Sequence, residues 1–463
     1  MLTLPTDVSV VNVGLPMFAD SVRDQGRPVQ QVDWSPPAGG DADLVAALTR
    51  VYGPRAAEID AANAEVVRRL DEGVPSLTGV SRVSEVLPGL GERTLLHCGP
   101  AIGWERVCDP LRRSMRAAVV AEGWAADVDE AGRALADGTV TLAPANAHGM
   151  VVPMASAIGP SAPVWVVDCP QGGTRAYAPI NQGPGEVPWF GRETGPAIER
   201  LRFLRDVAGP ALARVVGEAG PLDVFALAKQ GVAMGDDLHM RTQATTNLLI
   251  RTWLPQIAEL SSPEREQVAR FLAGNHLFFL TIAMAGARSL TAWAGQVRGS
   301  SIVTTMSRNG TDFGIRLAGS DTWHITDSPP VGDALYNAGM GPDDAAPDIG
   351  DSAVLELTGL GGPAAGGSPA VAGFLGGTMA AAAEATDRFA RISAGRSSRF
   401  TLPPMGFVGT PLGVDVRRVV ELGIRPQVTT GILHAHDGSG QVGAGVATAP
   451  AACFEAALRE LAG

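Results

Sequence analysis

The chain has 463 residues, of which 45% are hydrophobic, and a formal net charge of −12. That length and apolar content suffice for roughly two to four packed domains, and 57 glycines with 34 prolines predict many turns without marking disorder. No basic run is longer than a pair, which excludes a nucleic-acid partner and leaves only a local site for a small anion.

Val8 to Val13 is an apolar β-branched run that predicts a strand. A helix over Pro16 to Arg23 and a second strand over Pro28 to Trp34 complete a β-α-β unit. Helices are expected over 43–52 and 57–71. Thr94 to His97, Thr139 to Leu142 and Val164 to Cys169 read as buried strands. The Gly-, Asn- and Pro-rich segment 171–191 reads as a binding loop. From 196 to 296 the pattern is almost continuously helical, with six helices beginning near Ala197, Pro210, Asp223, Asp236, Pro263 and His276. Ser301–Ser307 and Thr311–Leu317 then flank Asn309-Gly310, which suits a type I′ hairpin. The expected fold is mixed α/β and α+β and multi-lobed. It has a Rossmann-like N-terminal domain (1–195), a helical lobe (196–296) and a C-terminal α+β domain (297–463).

Lys229 is the only lysine, so lysine chemistry rests on it, and no GxxxxGK[ST] segment is present. Cys98, Cys108, Cys169 and Cys453 form no CxxC pair, which predicts neither a zinc cluster nor a disulfide framework. The N-terminal residues lack the pattern of a signal peptide, and prolines or glycines break the long uncharged stretches. A soluble, cytoplasmic protein without a membrane span is expected.

Several constellations could carry chemistry. If a helix starts at Asp236, then Asp236 and His239 share one face as a base or ligand pair; alternatively Asp236 caps it and Asp237 pairs with Arg241. Ser300, Ser301, Thr304, Thr305, Ser307, Arg308, Asn309 and the Gly310 backbone make a donor-rich hairpin suited to an oxyanion, with Arg308 as a fork; the alternative is an exposed polar hairpin. Asp348 and Asp351 straddle Gly350 as a base, as cation ligands, or as a turn and cap. The glycines of 359–377 cradle an anion or allow close packing. His434 and His436 would share a strand face, but no third ligand is near, so they read as a polar loop beside a site and no metal is assigned. Gly438, Gly440 and Gly443 fit GxGxxG in what reads as a turn. His97, Asn146 and His148 follow predicted strands, where α/β sheets place ligand contacts, and Cys98 is a nucleophile or an inert buried thiol. No cofactor is expected, and the metal requirement stays open.

Taken in order, Val11-Asn12-Val13-Gly14, Val32 to Gly40 (VDWSPPAGG), Leu95-Leu96-His97-Cys98-Gly99-Pro100, Glu122-Gly123-Trp124-Ala125, Met234-Gly235-Asp236, Ser307-Arg308-Asn309-Gly310 and Gly431 to Gly445 resemble the YlbE/YahG family. The resemblance implies an AllG-type subunit associated with oxamate carbamoyltransferase. It would work beside an FdrA-like protein related to the CoA ligases and a third subunit. Such complexes move a carbamoyl group between oxalurate and phosphate in allantoin degradation, a branch of purine catabolism and nitrogen metabolism. Carbamoyl phosphate or phosphate and a small ureido or oxo acid are the implied ligands. The S-T-R-T-R and H-P-x-Q segments of ornithine and aspartate carbamoyltransferases are absent. A transferase site here would therefore be of another design, with Arg308 and Asn309 on the anion and His239 or Asp236 moving protons. Two alternatives stand beside it: a non-catalytic assembly partner of the FdrA-like subunit, and a component of a CoA-dependent acyl transferase or ligase. A homo-oligomer is compatible with each.

Overall fold

A computed structural model describes residues 9–32 and 34–463. Val8 and Asp33, at the edges of the two predicted N-terminal strands, lie outside the described residues. β1 (Val10–Val13) and β2 (Val29–Val32) pair in parallel around the Pro16–Asp24 helix, so the predicted β-α-β unit forms. Among the described residues it stops at two strands, and neither joins another sheet. The Rossmann-like expectation is corrected accordingly. A parallel sheet needs cover on both faces, and this one has four-residue strands and a single nine-residue helix. Val11, Val13, Leu15, Met17, Phe18 and Trp34 are all more than half exposed.

The next strands are β3 (Ser76–Arg82), β4 (Thr94–His97), β5 (Thr141–Pro144), β6 (Ala157–Ile158), β7 (Pro163–Cys169), β8 (Thr174–Pro179) and β9 (Leu222–Asp223). They divide into sheets of order β8-β7-β3-β9 and β5-β4-β6, and only β4–β5 is parallel. The predicted 171–191 loop therefore contains a strand. Arg175-Ala176-Tyr177-Ala178 alternates toward and away from the core and pairs along β7.

All six central helices are present: Gly195–Phe203, Gly209–Ala219, Val224–Ala233, Gln243–Glu259, Ser262–Ala273 and Leu280–Ala294. The fourth begins at Gln243 and not at Asp236. Asp237 Oδ1 accepts from the backbone N–H groups of Met240 (3.1 Å) and Arg241 (2.8 Å), and Leu238 adopts φ +69°. Those local bonds compete with helical ones and hold 236–242 as a tight loop. The Leu280–Ala294 helix lies on β7 and β8 and is buried almost all round.

The remaining strands are β10 (Val303–Asn309), β11 (Asp312–Leu317), β12 (His324–Asp327), β13 (Val331–Tyr336), β14 (Ile349–Gly350), β15 (Ser393–Leu402), β16 (Val408–Val414), β17 (Gln427–Leu433) and β18 (Gln441–Thr448). They form sheets β12-β11-β10-β14, β13-β18-β17 and β15-β16. The predicted hairpin is β10–β11, but its turn is not type I′. Only Gly310 has positive φ (+81°), while Asn309 Oδ1 accepts from Thr311 N (3.0 Å) and Asp312 N (2.6 Å). That is an Asx turn.

The largest core runs from Val66 to Leu433 and takes residues from all three predicted lobes. A second core joins Leu44–Ile59 to Val303–Ala462, so the Ala42–Tyr52 helix packs on the Ala451–Ala462 helix.

Candidate functional site

The ends of β4 and β5, the strand β10 and the 348–352 segment meet at one buried carboxylate. Asp351 Oδ1 accepts from Gly99 N (2.9 Å) and Asn146 Nδ2 (3.0 Å), and also from Ser307 Oγ. Its Oδ2 accepts from Val152 N (3.0 Å). Asn146 Nδ2 also reaches Ser307 Oγ at 3.0 Å. Burial pushes the Asp351 carboxyl up to about 6, against the pull of Gly99 N, Ser307, Val152 and Arg308. Gly99 has φ +79°, and a Cβ there would stand 2.6 Å from Asn309 Cβ, so only glycine lets β4 approach β10 this closely.

Arg308 is fully buried and fully engaged. Its Nε and Nη2 make a two-pronged pair with Asp348 (2.7 and 2.9 Å), and Nη1 donates to Gly350 O (2.7 Å). Burial pushes the guanidinium down, but Asp348 outweighs that and keeps it charged. The anion-fork expectation thus meets a residue whose fork is occupied by a carboxylate of the chain itself. Asn309 Nδ2 donates to Pro100 O (3.1 Å), and Gly310 forms the turn.

His97 lies at the end of β4. Its Nδ1 lies 2.7 Å from Cys98 O, which can only accept, so a neutral ring keeps its lone pair on Nε2. Burial pushes this imidazole down, and Nε2 has no partner among the described residues. Cys98 is buried and its thiol is pushed well up, which leaves little thiolate. His148 is half-buried on the Asn146 loop.

A second cluster surrounds His239, whose Nδ1 lies 2.7 Å from Glu356 Oε1 with both side chains buried. Glu356 Oε2 has no partner. Gly361 (φ +62°) leaves room for this pair, because a Cβ there would come within 2.2 Å of Glu356 Oε1. His239 also lines a small cleft of about 40 Å³ with Met154, Trp189, Phe190, Ser352 and Gln441.

Asp236 stands apart from His239. It accepts from Ala244 N (3.2 Å), Thr245 N (2.7 Å) and Thr245 Oγ1 (2.8 Å), capping the Gln243–Glu259 helix from outside. Asp236→Ala is expected to lower the unfolding free energy by about 2 kcal/mol, the cost of a lost cap and buried hydroxyl bond. Urea unfolding followed by far-UV circular dichroism measures it, and an unchanged midpoint would refute the capping role.

Ser300 and Ser301 bind Asn63 at the far end of β10: Ser300 Oγ donates to Asn63 Oδ1 (2.7 Å), and Asn63 Nδ2 donates to Ser301 Oγ (2.8 Å). They do not share the Asp351 cluster. His434 follows β17 with Nδ1 3.0 Å from Asp437, and His436 is exposed. No group of three His, Cys, Asp or Glu able to hold a metal occurs among the described residues. No helix among them is long and apolar enough to cross a membrane.

Comparison with known proteins supplies the family. Residues 140–352 match the family described as oxamate carbamoyltransferase subunit AllG. The Escherichia coli K12 oxamate carbamoyltransferase subunit AllG is 38% identical over 407 residues, 87% of this chain and 97% of its own length. This chain belongs to the AllG family. A further member from Escherichia coli K12, uncharacterized protein YahG, is 35% identical over 97% of this chain and 96% of its own. A crystal structure of a conserved protein of unknown function from Enterococcus faecalis V583 has the same fold (TM-score 0.85, 33% identity, 87% of this chain and 97% of that one).

The matched AllG segment contains Asn146, Asp236, Ser307, Arg308, Asp348 and Asp351, and also two residues absent from the sequence-predicted set. Arg288 is half-buried in the Leu280–Ala294 helix, where it is the one charged residue; a lone arginine in an otherwise uncharged helix was the available signal. Arg316 on β11 lies opposite Thr305 in the β10 register. Ser307, one of the hairpin donors the sequence points to, ties β10 to Asp351 through its hydroxyl.

Proposed function

We propose that this AllG-family chain is a subunit of a multi-subunit carbamoyltransferase that exchanges a carbamoyl group between a small ureido acid, such as oxalurate, and phosphate. The observation that carries this reading is the 38% identity over 97% of the oxamate carbamoyltransferase subunit AllG. In the phosphorolytic direction a phosphate oxygen attacks the carbamoyl carbon and forms a tetrahedral oxyanion. The C–N bond then breaks, and the leaving nitrogen takes up a proton. Such a step needs donors for the oxyanion and a group that handles a proton at nitrogen. The neutral, unpaired Nε2 of His97 and the His239–Glu356 pair are the groups of this chain suited to the proton. Asp351 and the Arg308–Asp348 pair hold the converging loops in place.

The partners in this reading are an FdrA-like subunit and a third chain. The exposed apolar residues of the β1–β2 unit give the chain a surface for them, since a two-stranded sheet is marginal alone. The same surface would serve a purely assembling role.

The test is carbamoyl transfer by the chain co-expressed with its FdrA-like and third partners. Phosphate and a panel of ureido acids are supplied, and carbamoyl phosphate is detected through carbamate kinase. The expected result is activity requiring all chains and falling at least tenfold in His97→Gln or His239→Gln. A stable complex inactive across the panel would refute the transferase reading and leave the assembling one.

A further inference from the structure

Arg288 and Arg316 are the guanidiniums of this region without a carboxylate of their own. Arg308 is neutralised by Asp348, whereas neither Arg288 nor Arg316 forms an ion pair among the described residues. Arg288 Nη2 makes one long contact, 3.5 Å to Asn146 O, and Arg316 Nη2 makes another, 3.3 Å to Thr305 Oγ1. The Nε of each is buried without a partner. Asn146 bonds Ser307 through its side chain, and Ser307 lies two residues along β10 from Thr305. The two arginines therefore flank one short polar patch: the Asn146 loop, Ser307 and Thr305. Trp323 stacks beneath Arg316 with its ring centre 4.9 Å from Cζ, which orients the fork. Both residues are half-buried, so each keeps some exposure to solvent.

Burying a guanidinium without a counter-charge in contact with it is unfavourable. Burial, and then the neighbouring Arg316, pushes the Arg288 guanidinium down to about 10. Asp351 lies close enough to oppose this, but it is committed to Gly99, Asn146, Val152 and Ser307. Asp321 opposes the burial of Arg316 in the same way, but among the described residues no carboxylate is in contact with either guanidinium.

We infer that Arg288 and Arg316 form a seat for a small oxyanion, either the carboxylate of an oxo or ureido acid or a phosphoryl group. Asn146, Thr305 and Ser307 supply neighbouring polar groups. The inference rests on the proposed function in that it names where this chain would hold one of the two anionic reactants. The chemistry of the seat is shared between them, because a guanidinium fork accepts two oxygens of either.

The experiment is thermal unfolding of the full chain, with and without its partners, titrated with oxamate and separately with inorganic phosphate. Wild type, Arg288→Met and Arg316→Met are compared. Three results are expected: wild-type Tm rises with at least one anion and less so in high salt; each variant binds roughly ten- to hundredfold more weakly; and each ligand-free variant unfolds at the same or a higher temperature than wild type, since a repelling charge is gone. A merely structural arginine would instead lower the ligand-free Tm. A shift with oxamate alone assigns a carboxylate seat, and one with phosphate alone a phosphoryl seat. No shift with either anion, alone or in the complex, overturns the inference, as does unaltered binding in both variants. Binding lost in the variants of a complex that transfers no carbamoyl group would keep the seat and remove the transferase. Transfer with unchanged KM in both variants would do the reverse.

Discussion

Arg308→Ala is expected to lower the unfolding free energy by about 3–5 kcal/mol, because it strands Asp348 as an unpaired charge in the interior. Both side chains are fully buried, and the pair shares two short hydrogen bonds. Gly350 O loses its Arg308 donor as well. Removing both charges should cost less than removing one: Arg308→Met with Asp348→Leu leaves no buried charge behind. Urea unfolding of the two variants and of wild type decides this. A double variant weaker than Arg308→Ala would mean that the pair stabilises the chain beyond mutual neutralisation. Any loss of transfer by Arg308→Ala must be read after this cost is subtracted, at a temperature where the variant is folded.

Asp351→Ala is expected to cost about 4 kcal/mol or more, since four buried donors lose one acceptor together. Gly99 N, Val152 N, Asn146 Nδ2 and Ser307 Oγ all converge on it from different elements. The effect has a pH signature. Asp351 titrates at about 6 in the folded chain and near 4 unfolded. Between these values the folded state holds a proton that the unfolded chain has released. Its contribution is thus fully present below about pH 4 and is lost as pH rises to about 6. The stability gap between wild type and Asp351→Ala should narrow by about 3 kcal/mol over that window. A gap independent of pH would show that Asp351 ionises normally.

Much of the fold was legible because its signals are local. The six central helices carry 3.6-residue periodicity, and β4, β7 and the β10–β11 hairpin are short apolar or β-branched runs. What failed was decided at longer range. The start of the Gln243–Glu259 helix depends on Asp236 capping it from eight and nine residues away and on Leu238 at positive φ. The β1–β2 unit reads locally like the opening of a doubly wound sheet, and nothing in its residues says that no third strand will join. The site divides in the same way. Asn146, His97 and Asp351 were legible as polar residues after strands or beside glycine, and the structure brings Asn146 and Asp351 into one cluster. The fate of Arg308 was not legible, because Asp348 reaches it only when β14 pairs with β10. Glu356 was invisible as the partner of His239, from which it is separated by 117 positions.

The sharing of cores between distant segments bears on how the chain comes to be folded at all. The Ala42–Tyr52 helix is synthesised long before the Ala451–Ala462 helix, yet its apolar face packs against that helix. Until that helix is made, the native cover of Leu44, Ala47, Leu48 and Val51 is incomplete. Contacts of this sequence separation form slowly, and they leave apolar surface open to other chains meanwhile. Fragments cut at residue 195 or 296 should therefore aggregate when made alone, and production of this protein should depend on chaperones more than its chain length would suggest.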